Sequence, residues 1–193
     1  VLYNSNIYNF DITDGVLKSN NTQITNSLAS SYVEIDLTNK PGTHTVVVNA
    51  EIVSRENDHF GYATIKETKA VPDYKDEEGR FVYISGSIDA DDYSIELEGG
   101  KKYYLHLGYY KDSLSVYSTD QFTVNSIKVD GNNLELEKEV SPYLYAEKIY
   151  TNLVKGEGNV YLNSGILKTE KTTGAWGIEV DGNVEINGGS IST

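Results

Sequence analysis

The sequence predicts an all-β chain: a jelly-roll β-sandwich over residues 1–129, followed over 130–193 by the first coils of a right-handed parallel β-helix. Three observations point there. Apolar and polar residues alternate with period two across most of the chain, whereas the 3.6-residue helical period is scarce. Short alternating runs recur between turn signals without intervening helices, as in sandwiches. Finally, Gly158-Asn159-Val160-Tyr161-Leu162-Asn163-Ser164-Gly165-Ile166-Leu167-Lys168-Thr169 returns as Gly182-Asn183-Val184-Glu185-Ile186-Asn187-Gly188-Gly189-Ser190-Ile191-Ser192-Thr193, identical at six of twelve positions. A repeat of this length, rich in Asn and Gly, fits stacked β-coils, because one coil alone cannot bury its apolar row.

The elements follow in order. In 32–37, Val33, Ile35 and Leu37 share one face while Glu34 and Asp36 share the other. Lys40-Pro41-Gly42 marks a turn into 44–53, where Val46, Val48, Ala50 and Ile52 alternate with Thr45, Val47, Asn49 and Glu51. Further strands are expected at 61–66, 81–85, 93–97, 102–109, 114–117 and 122–129. After Asp130-Gly131, Asn133-Leu134-Glu135-Leu136 matches the opening of the two clear repeats and reads as a degenerate third coil, broken by Ser141-Pro142. Ile178 and Val180 supply an inward face between the repeats. Asn163 and Asn187 hold equivalent positions and are expected to stack as an amide ladder. The sequence stops at Thr193 inside a coil, which suggests further coils in a longer protein.

Composition narrows the class. With 29 acidic against 16 basic residues the net charge is −13, which repels phosphate backbones and anionic lipid and argues against nucleic-acid partners. No apolar run is long enough to span a bilayer, so membrane insertion is not expected. The absence of cysteine excludes disulfides and thiolate zinc sites. A Cys-free chain rich in Asn, Thr, Ser, Gly and Tyr suits an extracellular module, secreted or on a bacterial surface.

The stretch Gly182–Ile191 resembles the parallel β-helix repeats of carbohydrate-binding-domain surface proteins of Gram-positive bacteria. Residues 99–109, continuing to 122–129, resemble the last strands of the jelly-roll modules that often precede such repeats. The resemblance covers about half the chain. It implies a wall-attached or secreted adhesin or glycan-binding role, in some members with bound calcium, and supplies no catalytic residues.

One strand carries the expected binding row. With Leu105 and Leu107 facing the core, Tyr104, His106 and Tyr110 fall on the opposite face and form an exposed row of rings. Such rings stack on the apolar faces of sugars, and the tyrosine hydroxyl adds a hydrogen bond. Tyr62, Tyr83 and Arg80 extend the platform if strand order allows. Sixteen tyrosines in a β-rich chain also serve simply as good strand residues. Asp89, Asp91 and Asp92 place three carboxylates within four residues, a candidate Ca²⁺ site if backbone carbonyls converge on them; Asp73, Asp76, Glu77 and Glu78 form a second acidic run. His44, His59 and His106 have no metal-ligand spacing, and no nucleophile motif is present. Trp176, flanked by Gly174 and Gly177, reads as a packing residue.

The expected function is therefore binding or adhesion through a polysaccharide or glycan, without catalysis, by a fragment that is monomeric on its own. The alternatives are a structural stalk and part of a polysaccharide lyase or hydrolase. A Lys-to-Asn isopeptide crosslink occurs in surface β-domains but has no sequence signature.

Overall fold

The computed structural model describes residues 1–114, 117–139, 148–150, 153–156, 159–168 and 177–192. The described residues form strands, turns and bends without a helix. Two antiparallel sheets face one another. The first, sheet A, is ordered β1 (Leu2–Asn4), β4 (Ser27–Asp36), β9 (Lys102–Lys111), β6 (Phe60–Lys66), β7 (Arg80–Ser85); sheet B is ordered β2 (Phe10–Thr13), β3 (Val16–Ser19), β10 (Gln121–Val129), β5 (Thr43–Val53), β8 (Ile88–Glu98). The pairs β3/β10, β4/β9, β5/β8 and β6/β7 are nested in sequence, so the chain winds outward and inward as one ribbon.

The alternation read from sequence sets the core. Val33, Ile35, Tyr103, Leu105, Leu107 and Tyr109 from sheet A meet Val46, Val48, Ala50, Ile52, Phe122 and Val124 from sheet B in one apolar cluster. At about 25 cal/mol per Å² of buried apolar surface, this shared layer is the main force holding the sheets together. Gly61 lies in it for lack of space: a Cβ there would meet the Phe122 ring at 2.3 Å. Gly61→Ala is therefore expected to lower unfolding stability by about 1–3 kcal/mol, measurable as a reduced urea midpoint with an unchanged slope.

Strands β1 to β3 are not legible from periodicity, because the first 31 residues bury many polar side chains, such as Ser5, Asn6, Ser19 and Asn21, among apolar ones such as Leu2, Phe10 and Leu17. Ser5 Oγ lies 3.1 Å from Ser30 Oγ, Asn6 Nδ2 donates to the Leu28 carbonyl at 2.8 Å, and Ser31 Oγ accepts the Phe10 N–H at 3.0 Å. Buried polar groups matched in this way cost little to enclose. The expected strand at 114–117 is not found: Leu114 and Tyr117 lie outside strands, and the two residues between them are outside the described set.

Asp130-Gly131 turns out to be a hairpin turn. Both residues have positive φ, 51° and 79°, the geometry of a two-residue connection, and they return the chain as β11 (Asn132–Asn133) against β10. Leu134 and Leu136 then pack on the sandwich core, and Leu2 bridges Lys138. The stretch read as a degenerate coil thus joins the antiparallel sandwich; alternation alone does not distinguish a hairpin return from a coil.

Beyond it, the strands pair in parallel. β13 (Leu153–Gly156) pairs β16 (Gly177–Val180), β14 (Val160–Leu162) pairs β17 (Val184–Ile186), and β15 (Ile166–Lys168) pairs both β18 (Ser190–Ser192) and β12 (Lys148–Tyr150). Repeat-equivalent residues stack: Asn187 Nδ2 donates to Asn163 Oδ1 at 3.0 Å and the Asn183 N–H to Asn159 Oδ1 at 2.8 Å, each across 24 residues. The expected amide ladder is present. Trp176 and Ser141-Pro142 lie outside the described residues.

Candidate functional site

The outer face of sheet A carries the rings that the sequence placed there. On β9, Tyr104, His106 and Tyr110 point away from the core, as the alternation requires. They do not form an exposed row. The connection between β6 and β7, residues 67–79, folds back over this face and buries Val71 and Tyr74 against it. Tyr74 stacks on Tyr110 with ring centroids 3.9 Å apart and planes 8° from parallel, and Phe60 packs beside both.

His106 is fully buried, and its Nε2–H donates to the Thr68 carbonyl in that connection at 2.9 Å. Burial away from water disfavours the imidazolium and pushes the pKa down to about 4. Tyr62, 1% exposed, lies over Gly108, whose absent side chain makes the space: a Cβ would sit 2.1 Å from the Tyr62 ring. His106 and Tyr62 are therefore corrected from exposed platform residues to interior ones, because a covering loop cannot be read from strand periodicity. Tyr104 is half-buried, edge-on to Tyr32 at 6.0 Å with Lys69 Nζ 6.0 Å from its ring.

The covering loop is fastened by charges. Lys66 Nζ lies 2.9 Å from Asp76 and 3.3 Å from Glu78, and this pairing holds the Asp76 carboxyl below its ordinary range. One Arg80 terminal nitrogen donates to the carbonyls of Tyr74 and Asp76 at 2.7 and 2.6 Å. Part of the acidic run at 73–78 is thus a loop clasp.

What remains open is the edge of the sheet at β7. Tyr83 is 54% exposed, with Phe60 behind it at 4.9 Å between centroids and the Arg80 guanidinium 5.3 Å from its ring. Arg80 lies over both Tyr62 and Tyr83, which fixes its plane beside the open ring. Glu77, Arg80 and Tyr83 line an open depression of about 310 Å³. An exposed ring supported from behind, flanked by a guanidinium and a carboxylate, can take the apolar face of a ring-shaped polar ligand and hydrogen-bond its hydroxyls. Of the residues expected from sequence, Arg80 and Tyr83 come together here; Tyr104 lies six residues from Tyr110 along β9, and Glu77 was read only as part of an acidic run.

The carboxylates Asp89, Asp91 and Asp92 do not converge. They lie on the edge strand β8, where neighbours point to opposite faces, so Asp91 and Asp92 diverge. Asp92 Oδ1 accepts from Asn49 Nδ2 at 2.7 Å, and Asp91 Oδ1 accepts the Asp92 N–H at 2.8 Å. Among the described residues no three His, Asp or Glu side chains are grouped to hold a metal ion. Alternation in an extended strand thus separates Asp91 from Asp92, although they are adjacent in sequence. Among the described residues no helix is long and apolar enough to cross a membrane.

No family model matches the chain, and no curated protein matches it. Among solved structures, it is similar to the secreted serine protease VesC from Vibrio cholerae, at 9% identity and a TM-score of 0.45 over 65% of this chain. The match spans 23% of the protease. It is also similar to the EclA C-terminal domain, described as a sugar-binding protein, at 11% identity and a TM-score of 0.39 over 62% of this chain and 79% of that one.

Proposed function

We propose that the chain is a non-catalytic carbohydrate-binding module of an extracellular bacterial surface protein, in which a jelly-roll sandwich carries the ligand site and a parallel β-helix extends from it. The observation that carries the binding reading is Tyr83, an open ring braced by Phe60 and flanked by Arg80 and Glu77. Saccharides present an apolar ring face rimmed by hydroxyls; Tyr83 supplies the stacking surface, Arg80 a donor fork, and Glu77 an acceptor. The nested pairing of β3 to β10 has the connectivity of a double-sheet jelly roll, and parallel ladders spaced by the 24-residue repeat support a solenoid continuing beyond residue 139. In this reading the division lies near residue 139 and separates a binding unit from a supporting one, the solenoid serving as a spacer.

The test is affinity electrophoresis through gels containing single polysaccharides. Retardation of the wild-type chain by at least one of them, with a loss of affinity of about five- to thirtyfold in Tyr83→Ala, is the expected outcome, since losing a stacked ring removes about 1–2 kcal/mol. Equal retardation of wild type and Tyr83→Ala by every retarding gel would remove Tyr83 from the site.

A further inference from the structure

At the opposite end of β9 from Tyr104, the sandwich holds a second cluster that the binding reading does not use. Lys111 and Asp120 are both fully buried, with Lys111 Nζ 3.9 Å from Asp120 Oδ2. The ammonium does not hydrogen-bond the carboxylate; it donates to the backbone carbonyls of Asn21, at 3.2 Å, and Thr22. The Asp120 oxygens accept backbone N–H groups, Oδ2 from Tyr117 at 3.0 Å and Oδ1 from Arg55 at 3.4 Å. His59, also fully buried, places Nδ1 4.0 Å from Asp120 Oδ2 while its Nε2 is bonded to Asp112 Oδ1 at 3.0 Å. His59 Nδ1 has no hydrogen-bond partner among the described residues.

We propose that Lys111 and Asp120 condense spontaneously to an isopeptide bond, with His59 carrying the proton. Each requirement of amide formation has a group in place. Burial disfavours the charged amine and brings the Lys111 pKa down to about 8, so the nucleophilic neutral form is accessible. The Arg55 N–H faces Oδ1, the oxygen on which charge grows in the tetrahedral intermediate, while the Tyr117 N–H holds Oδ2, the oxygen that leaves. Water, which would hydrolyse the product, is excluded from both partners.

The step balances without an added reagent. One ammonium proton passes to Asp120 Oδ2, giving a neutral amine beside a carboxylic acid. The Nζ lone pair forms a bond to Cγ, and the Cγ–Oδ2 bond breaks. His59 Nδ1 takes the second amine proton and returns it to the departing hydroxyl, which leaves as water. In water the ammonium carboxylate is favoured over the amide. Here two buried charges are exchanged for one neutral amide, which removes their desolvation cost.

The experiment is the intact mass of the full chain under denaturing conditions, followed by peptide mapping. The expected result is a mass below that of the sequence by one water, with the peptide containing Lys111 joined to the one containing Asp120, and the full mass restored in Lys111→Arg. Cyclised Asp-Gly pairs, at Asp14-Gly15, Asp130-Gly131 and Asp181-Gly182, also lose one water. A deficit that maps to one of them, or a wild-type mass equal to that of the sequence, overturns the proposal. The wild-type measurement decides even if a variant fails to fold. In His59→Gln the linked species is expected to accumulate about a hundredfold more slowly in a mass time course; an unchanged rate would remove His59 from the step.

Discussion

Asp120→Ala is expected to lower the unfolding free energy by about 3–5 kcal/mol, the range for removing one partner of a buried charge pair. The variant strands Lys111, whose side chain is wholly enclosed, with two carbonyl oxygens as its direct acceptors among the described residues. It also leaves the N–H groups of Tyr117 and Arg55 without their carboxylate acceptor. The expectation holds whether the two residues meet as ions or as an amide, since alanine at 120 removes both. The urea midpoint reports the loss. A double substitution, Lys111→Met with Asp120→Ala, should recover much of it, because an apolar pair of similar volume requires no charge to be desolvated. A single variant within about 1 kcal/mol of wild type would show that water or a shifted side chain already compensates the lysine.

Acid is expected to weaken the fold through His106. Its folded pKa of about 4 lies below the ordinary 6.5, so between these values the unfolded chain binds more protons than the folded one. The contribution is fully present above pH 6.5 and declines as pH falls toward 4. A displacement of that size corresponds to about 3 kcal/mol. The physical event is loading a proton onto a ring enclosed between β9 and the Thr68 carbonyl. His106→Leu removes the titration, so the wild-type stability minus that of the variant, followed by chemical unfolding from pH 7 to 4, should fall by that amount. A difference that stays flat would mean that His106 gains solvent or a carboxylate partner in solution. Because His106 holds the 67–79 connection, acid is also expected to loosen the cover over Tyr62 and Tyr110.

Periodicity revealed the sandwich strands wherever one face was apolar. The rows Val46 to Ile52 and Tyr103 to Tyr109 fall in the core as their alternation requires. It failed where burial is polar: Ser27, Ser30 and Ser31 are as buried in β4 as Val33, satisfied by Asn21, Ser5 and the Phe10 N–H. Such matching depends on partners distant in sequence and leaves no period. The outer face of sheet A was legible in its orientation and not in its exposure. The alternation of β9 gave the correct side for Tyr104, His106 and Tyr110, but the stacking of Tyr74 on Tyr110 joins residues 36 positions apart through a loop without regular structure. Tyr83 remains open because β7 is the edge strand and the loop is drawn inward over its neighbours. The buried trio of His59, Lys111 and Asp120 left no sequence signal, since their proximity is a product of strand order.

The central claim is that a glycan stacks on Tyr83 between Arg80 and Glu77, and a glycan array probed with three proteins tests it most directly. Wild type and Tyr104→Ala should bind the same glycans with similar intensity, while Tyr83→Ala loses them. No binding of the wild type to any glycan, or loss in Tyr104→Ala with retention in Tyr83→Ala, would contradict the account.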